Sequence, residues 1–175
     1  MPEEATHLAN YYANIFGCTT QEILVNNDFD MAIIKWGRCL LSGDPDGIAS
    51  QWLELRRDSG QARISSVVRL SQLSDTGQTI TQYGKVIHFF VHEFRGTDQM
   101  LAYVQIYRTR DYSLEFGCSQ PDKIIRVERQ GPLEVVGITA IDEGVGIMNV
   151  ADKEYILVRR QMFDTDDGET PGENA

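Results

Sequence analysis

The chain has 175 residues, 42% hydrophobic and 24% charged, which is the size and composition of one domain with an ordinary core. Its formal net charge of -10 argues against a domain that gains its affinity by neutralising nucleic-acid phosphates, and makes a basic partner the easier match. The longest apolar stretches, such as Met31 to Ile34 and Val86 to Val91, stop well short of a bilayer span, and Pro2, Glu3 and Glu4 reverse the basic start of a secretory signal. No membrane contact and an intracellular location are expected.

Leu8, Tyr12, Ile15 and Phe16 recur at helical offsets, so Glu4 to Phe16 is predicted as an amphipathic helix that Gly17 ends. Thr19 and Glu22 have the capping-box spacing, and Ile23 and Leu24 then begin a second short helix. Between Asp30 and Leu41 the apolar residues Ile33, Ile34, Trp36, Leu40 and Leu41 fit helix or strand by period, and helix is taken. The turn cluster Gly43 to Gly47 sets a boundary, and Ile48, Trp52 and Leu55 then fall on one helical face before Asp58, Ser59 and Gly60.

From Ala62 the pattern becomes strand-like. Ile64 to Leu70 is predicted as a first strand, followed by a loop over Ser74 to Gly77. Tyr83 to Phe94 alternates Val86, His88, Phe90, His92 and Phe94 with Ile87, Phe89 and Val91, and Met100 to Arg108 alternates in the same way. These two form a hairpin across the compact turn Arg95 to Asp98. Further strands are expected at Lys123 to Glu128, Leu133 to Ile141, Val145 to Val150 and Tyr155 to Val158.

The fold class is therefore α+β, mainly β: a small barrel with an N-terminal helical extension. Residues 1–60 form the extension, 61–160 the barrel, and 161–175 an acidic tail, expected to be disordered, with Asp164, Asp166, Asp167, Glu169 and Glu173 and no basic residue.

Catalytic signals are weak. Gly144-Val145-Gly146 lacks the third glycine and the helix of a dinucleotide loop, and none of the serines has an elbow context. His88 and His92 would grip a metal at helical spacing, but on a strand they lie far apart and read as ordinary histidines. Cys18, Cys39 and Cys118 fit neither a disulfide framework nor a zinc site and read as small buried thiols. Asp142-Glu143 reads as a solvated pair in a turn. No enzyme, cofactor or metal is expected.

The aromatic residues of the hairpin are the most informative group. Most must be core, but a few at a strand end would suit a cationic peptide, since ring faces attract ammonium groups and carboxylates complement Lys and Arg. Phe90, Phe94, Tyr103 and Tyr107 are the candidate stacking groups, with Glu93 and Asp98 as charge partners. Against this stand Arg56, Arg57, Arg63 and Arg69, with Arg159 and Arg160, the residues a basic strip for DNA would use.

The order of motifs, from Pro45-Asp46-Gly47-Ile48-Ala49-Ser50-Gln51-Trp52 through Arg63 to Arg69, Tyr83-Gly84-Lys85-Val86-Ile87-His88-Phe89-Phe90 and Leu101-Ala102-Tyr103-Val104 to Leu133 to Met148, resembles the C-terminal region of transposases of fungal CACTA-like or Plavaka-type elements. The likeness covers roughly residues 44 to 158. The strand order is also similar to bromo-adjacent homology (BAH) domains, the small β-barrels of chromatin proteins. The resemblance implies a non-catalytic, nuclear, chromatin- or transposon-associated module that recognises a basic segment such as a histone tail, and no catalytic carboxylates carry over. Two alternatives stay open: a nucleic-acid-binding accessory domain, and a structural or oligomerisation domain.

Overall fold

The computed structural model describes residues 3–41, 47–56, 65–74, 76–113 and 124–157. The first helix, α1 (Glu3–Phe16), buries Ala5, Leu8, Ala9, Tyr12 and Ala13 along one stripe and stops at Gly17, whose φ of 63° an L side chain would resist. In α2 (Thr20–Leu24) the capping box forms as its spacing predicts: the Thr19 side chain accepts from the Glu22 backbone, and the Glu22 carboxylate accepts from the Thr19 N–H at 2.7 Å.

The helix expected between Asp30 and Leu41 is not formed. In its place are β1 (Ile34–Trp36) and β2 (Arg38–Cys39), and Ile34 and Trp36 are exposed. The reason is tertiary. β1 finds hydrogen-bonding partners on a neighbouring strand edge, Lys35 opposite Phe90, which outweighs a weak local helical period. The next expected helix is shortened as well: Ile48 and Ala49 form β3 against β2, and only Gln51–Glu54 (α3) is helical, capped by Ser50. Trp52 is half-buried.

The sheet body comprises β4 (Val67–Leu73), β5 (Thr79–Phe94), β6 (Thr97–Asp111), β7 (Ile125–Gly137), a 3-10 turn (Ile138–Ala140), β8 (Ile141–Gly144), β9 (Gly146–Val150) and β10 (Lys153–Leu157). All pairings are antiparallel, in the order β8-β4-β5-β6-β7-β10-β9, with β1 on β5 beside β4. The β5–β6 hairpin forms as expected, its turn tightened to Arg95 and Gly96, both at positive φ as a two-residue hairpin requires. Gly84 lets these strands close, since a Cβ there would lie 2.6 Å from a Val104 methyl.

Two expected strands are one: β7 runs through Gly131 and Pro132, which fall where the register with β6 shifts between Gln105 and Tyr107. Proline is tolerated at such a bulge, and the Gln105 amide donates to the Gly131 carbonyl at 2.6 Å.

The barrel is not closed. β8 and β9 stand at opposite ends of the sheet with only Val145 between them in sequence, so the sheet curls until its edges approach at that residue, whose N–H donates to Val67 O at 2.8 Å. β8 and β9 themselves are not paired, so the sheet keeps two edges.

Three apolar clusters result. α1 and α2 cover Phe90, Phe94, Leu101, Tyr103 and Val135, so the helical front shares a core with the sheet. Ile48 and Ile141 close over Val68, Val86, Ala102 and Val104. Val67, Tyr83, Tyr107, Ile125, Val145 and Ile156 fill the curled end. Cys18 and Cys39 are half-buried free thiols. The Gly43 to Asp46 turn, Ile64, Cys118 and the acidic tail lie outside the described residues.

Candidate functional site

The four hairpin aromatics are built into the core and do not meet at one site. Phe90, Phe94 and Tyr103 lie under α1, while Tyr107 belongs to the curled end; their exposures are 4%, 2%, 6% and 9%, which leaves no ring face open for a ligand to stack on. The Tyr103 hydroxyl is 2.7 Å from His7 Nδ1, and burial pushes its phenol up to about 12. Glu93 and Asp98 are exposed and directly opposite each other across the hairpin.

His88 and His92 are core histidines. A carbonyl can only accept, so His92 Nε2 carries the proton it shares with Asp30 O at 2.6 Å, and the Tyr12 hydroxyl donates to Nδ1 at 2.8 Å in the neutral ring. His88 packs against the rings of Phe90 and Tyr103, and its pKa is lowered by burial first and by Lys35 second. Among the described residues no group of His, Cys, Asp or Glu is placed to hold a metal ion.

Of the basic strip expected in the front half, only Arg56 and Arg69 are among the described residues, and each has a partner of its own. Arg69 is neutralised by Asp142 at 3.2 Å and Glu143 at 2.8 Å, and Arg56 lies over the Trp52 ring at 4.0 Å. Arg57, Arg63, Arg159 and Arg160 lie outside the described residues.

A different set of arginines converges. At the end of β6 and the start of β7 the register places Arg108 opposite Arg129 and Arg110 opposite Arg126. Arg108 and Arg110 are two apart on β6 and share a face; Arg126 and Arg129 are three apart on β7, and the bulge at Glu128 brings each opposite one of them, across the strand from Tyr107, Ile125 and Val127, which face the curled end. Tyr155 of β10 is opposite Arg126 and Met148 of β9 is opposite Tyr155, which continues one row across four strands. A second row carries Val150 opposite Lys153. Arg108, Arg110, Arg129 and Lys153 are exposed, as are Met148 and Val150, and Arg126 and Tyr155 are half-buried.

Tyr112 anchors the corner of this face. The guanidinium groups of Arg126 and Arg110 lie 4.2 and 4.9 Å from its ring centre, and its hydroxyl donates to Glu128 at 2.9 Å. Glu128 also pairs with Arg126, whose hydrogen bond holds the carboxyl below its ordinary pKa. Arg108, Arg129 and Lys153 have no ion pair with a described residue. Beside the face an open groove of about 940 Å³ runs between β7 and the β9–β10 turn, lined by Arg129, Asn149, Asp152 and Lys153 among others.

The signal for this face was in the sequence as Arg-Thr-Arg at 108–110 and as Arg126 with Arg129. Adjacent arginines draw the eye, but on a strand alternate residues share a side, and β6 runs to Asp111, past the Arg108 limit expected for it. Compared with known protein families, characterised proteins and solved structures, the chain matches none.

Proposed function

We propose that the chain is a non-catalytic binding module that holds nucleic acid on the arginine face of β6, β7 and β10. The observation carrying this reading is the pair of Arg–Arg registers on either side of a bulge, Arg108 with Arg129 and Arg110 with Arg126. Like charges directly opposite on a sheet destabilise it; Arg126 is met by Glu128, whereas Arg108 and Arg129 have no ion pair with a described residue, and an anion seated on them would turn the repulsion into attraction. Guanidinium groups match phosphate oxygens two at a time, and a local cationic field outweighs net charge at contact distance. In keeping with the BAH-like and transposon-like order of motifs, the module would work on chromatin in the nucleus, alone or as a part of a transposase.

A second reading keeps the basic protein segment, such as a histone tail, as ligand. What favours it is a groove of about 560 Å³ at the hairpin end, where Asp28, Asp30 and Glu93 surround a single cation, Arg95. The aromatic rings named for that role take no part in it.

Binding to nucleosomes, tail-less nucleosomes and free DNA at two salt concentrations separates the two. Nucleic-acid binding through the face predicts tail-independent affinity that falls about 100-fold between 50 and 200 mM salt for about four phosphate contacts. It also predicts loss of binding in Arg108→Glu with Arg129→Glu. Affinity that survives this double reversal but vanishes without the tails would transfer the function to the acidic groove.

A further inference from the structure

We infer that the nucleic acid this face takes is single-stranded, an inference that rests on the reading just given. The two rows change character in the same direction. One runs from Met148 on β9 through Tyr155 on β10 to Arg126 and Arg110 on β7 and β6, by direct register at each step. The other begins with Val150 and Lys153, and in the same direction the face ends on Arg129 and Arg108. The face is therefore apolar along the β9 edge and, beside the Arg126–Glu128 pair, cationic along β6 and β7.

Met148 and Val150 are 44% and 47% exposed. They lie on the solvent side of the sheet, opposite to the side where Ile147 and Ile156 pack into the curled end, so they do not serve that core. A duplex offers such a face only its phosphates and would leave the apolar edge unused. An unpaired strand offers both chemistries at once, a phosphate track on one side and bases on the other, and apolar or aromatic groups beside a cationic track are the means by which single strands are held without sequence readout. The dimensions agree. The two arginine registers are about two residues apart along the strands, roughly 7 Å, and β9 to β6 is three strand spacings, roughly 14 Å. Phosphates seated on the arginines then put the bases over Tyr155 and Met148. Charge complementarity selects the polymer, and the apolar edge selects its unpaired state.

The test compares a single-stranded oligonucleotide with its duplex, at low and moderate salt, using the full chain. The expected result is tighter binding of the single strand by about ten-fold, the size of one base stacked on a side chain. Met148→Ser with Val150→Ser, both on exposed positions, should remove that preference without changing duplex affinity, and Tyr155→Leu should do the same if the fold is retained by thermal melting. Arg108→Glu with Arg129→Glu should abolish both. Equal affinity for the two forms, lost together in the arginine variant, would overturn the single-strand inference while leaving the nucleic-acid reading intact. Failure to bind either form, with arginine-dependent binding of poly-glutamate in its place, would overturn both and give the face to an acidic protein segment.

Discussion

The two ends of the β6–β7 ladder are built from the same pairing and put to opposite uses. Near the hairpin turn, Leu101 is opposite Gly137 and Tyr103 opposite Val135, and α1 lies over them with Leu8 and Tyr12. Farther along β6 the chain reaches Arg108 and Arg110, which stand opposite arginines of β7 and whose outer face no described helix covers. Apolar burial supplies the favourable energy at the first end, while direct like-charge pairs oppose pairing at the second. A sheet shaped only by stability would set an acid opposite Arg108, as Glu143 of β8 stands opposite Arg69. The contrast separates what holds this molecule together from what it presents to a partner.

The strongest way to break the comparison is at the covered end. Leu101 is 1% exposed, and Leu101→Ala should cost about 2–5 kcal/mol of unfolding free energy, read by denaturant titration, with nucleic-acid affinity of the folded protein unchanged. A loss of affinity out of proportion to the unfolded fraction would mean that the two ends are coupled. A smaller effect tests the polar bond inside the same core. Tyr12→Phe removes the hydroxyl that donates to His92 and strands a buried acceptor, so about 1–3 kcal/mol should be lost. An unchanged midpoint would show that the His92 bond to Asp30 alone suffices.

Much of the architecture was legible from the residues, and the gaps have physical causes. The alternation of Tyr83 to Phe94 and of Met100 to Arg108, and the Thr19–Glu22 spacing, are local signals that tertiary structure did not override. The segment around Ile34 failed because its conformation is decided by an edge of β5 far away in sequence. Closure is not legible either, because it depends on whether the two end strands, β8 and β9, come into register with each other, which no local signal announces. The hairpin rings are core, as large aromatic side chains on both faces of a strand imply, but which of them stay open to a ligand depends on α1 lying over Phe90, Phe94 and Tyr103, which no local pattern shows. The arginine face could have been found by asking which cations alternate along one strand and then which strand lies beside it. The first question is answerable from sequence, and the second needs the register.

The smallest expected effect carries the sharpest sign. Arg108→Glu replaces a like-charge register by an opposite-charge one with Arg129, so the variant should be slightly more stable than the parent, by about 1–3 °C in Tm, while its nucleic-acid affinity falls. Stability and binding then move in opposite directions from one substitution, which is what a surface retained for a partner predicts and a structural contact does not. Salt sharpens the measurement. The repulsion between exposed arginines is screened over about 10 Å at 0.1 M, so the gain should shrink as salt is added and nearly vanish at 1 M. A variant less stable than the parent at low salt would mean that Arg108 and Arg129 support the sheet through their side-chain packing, and the argument from like-charge registers would lose its footing.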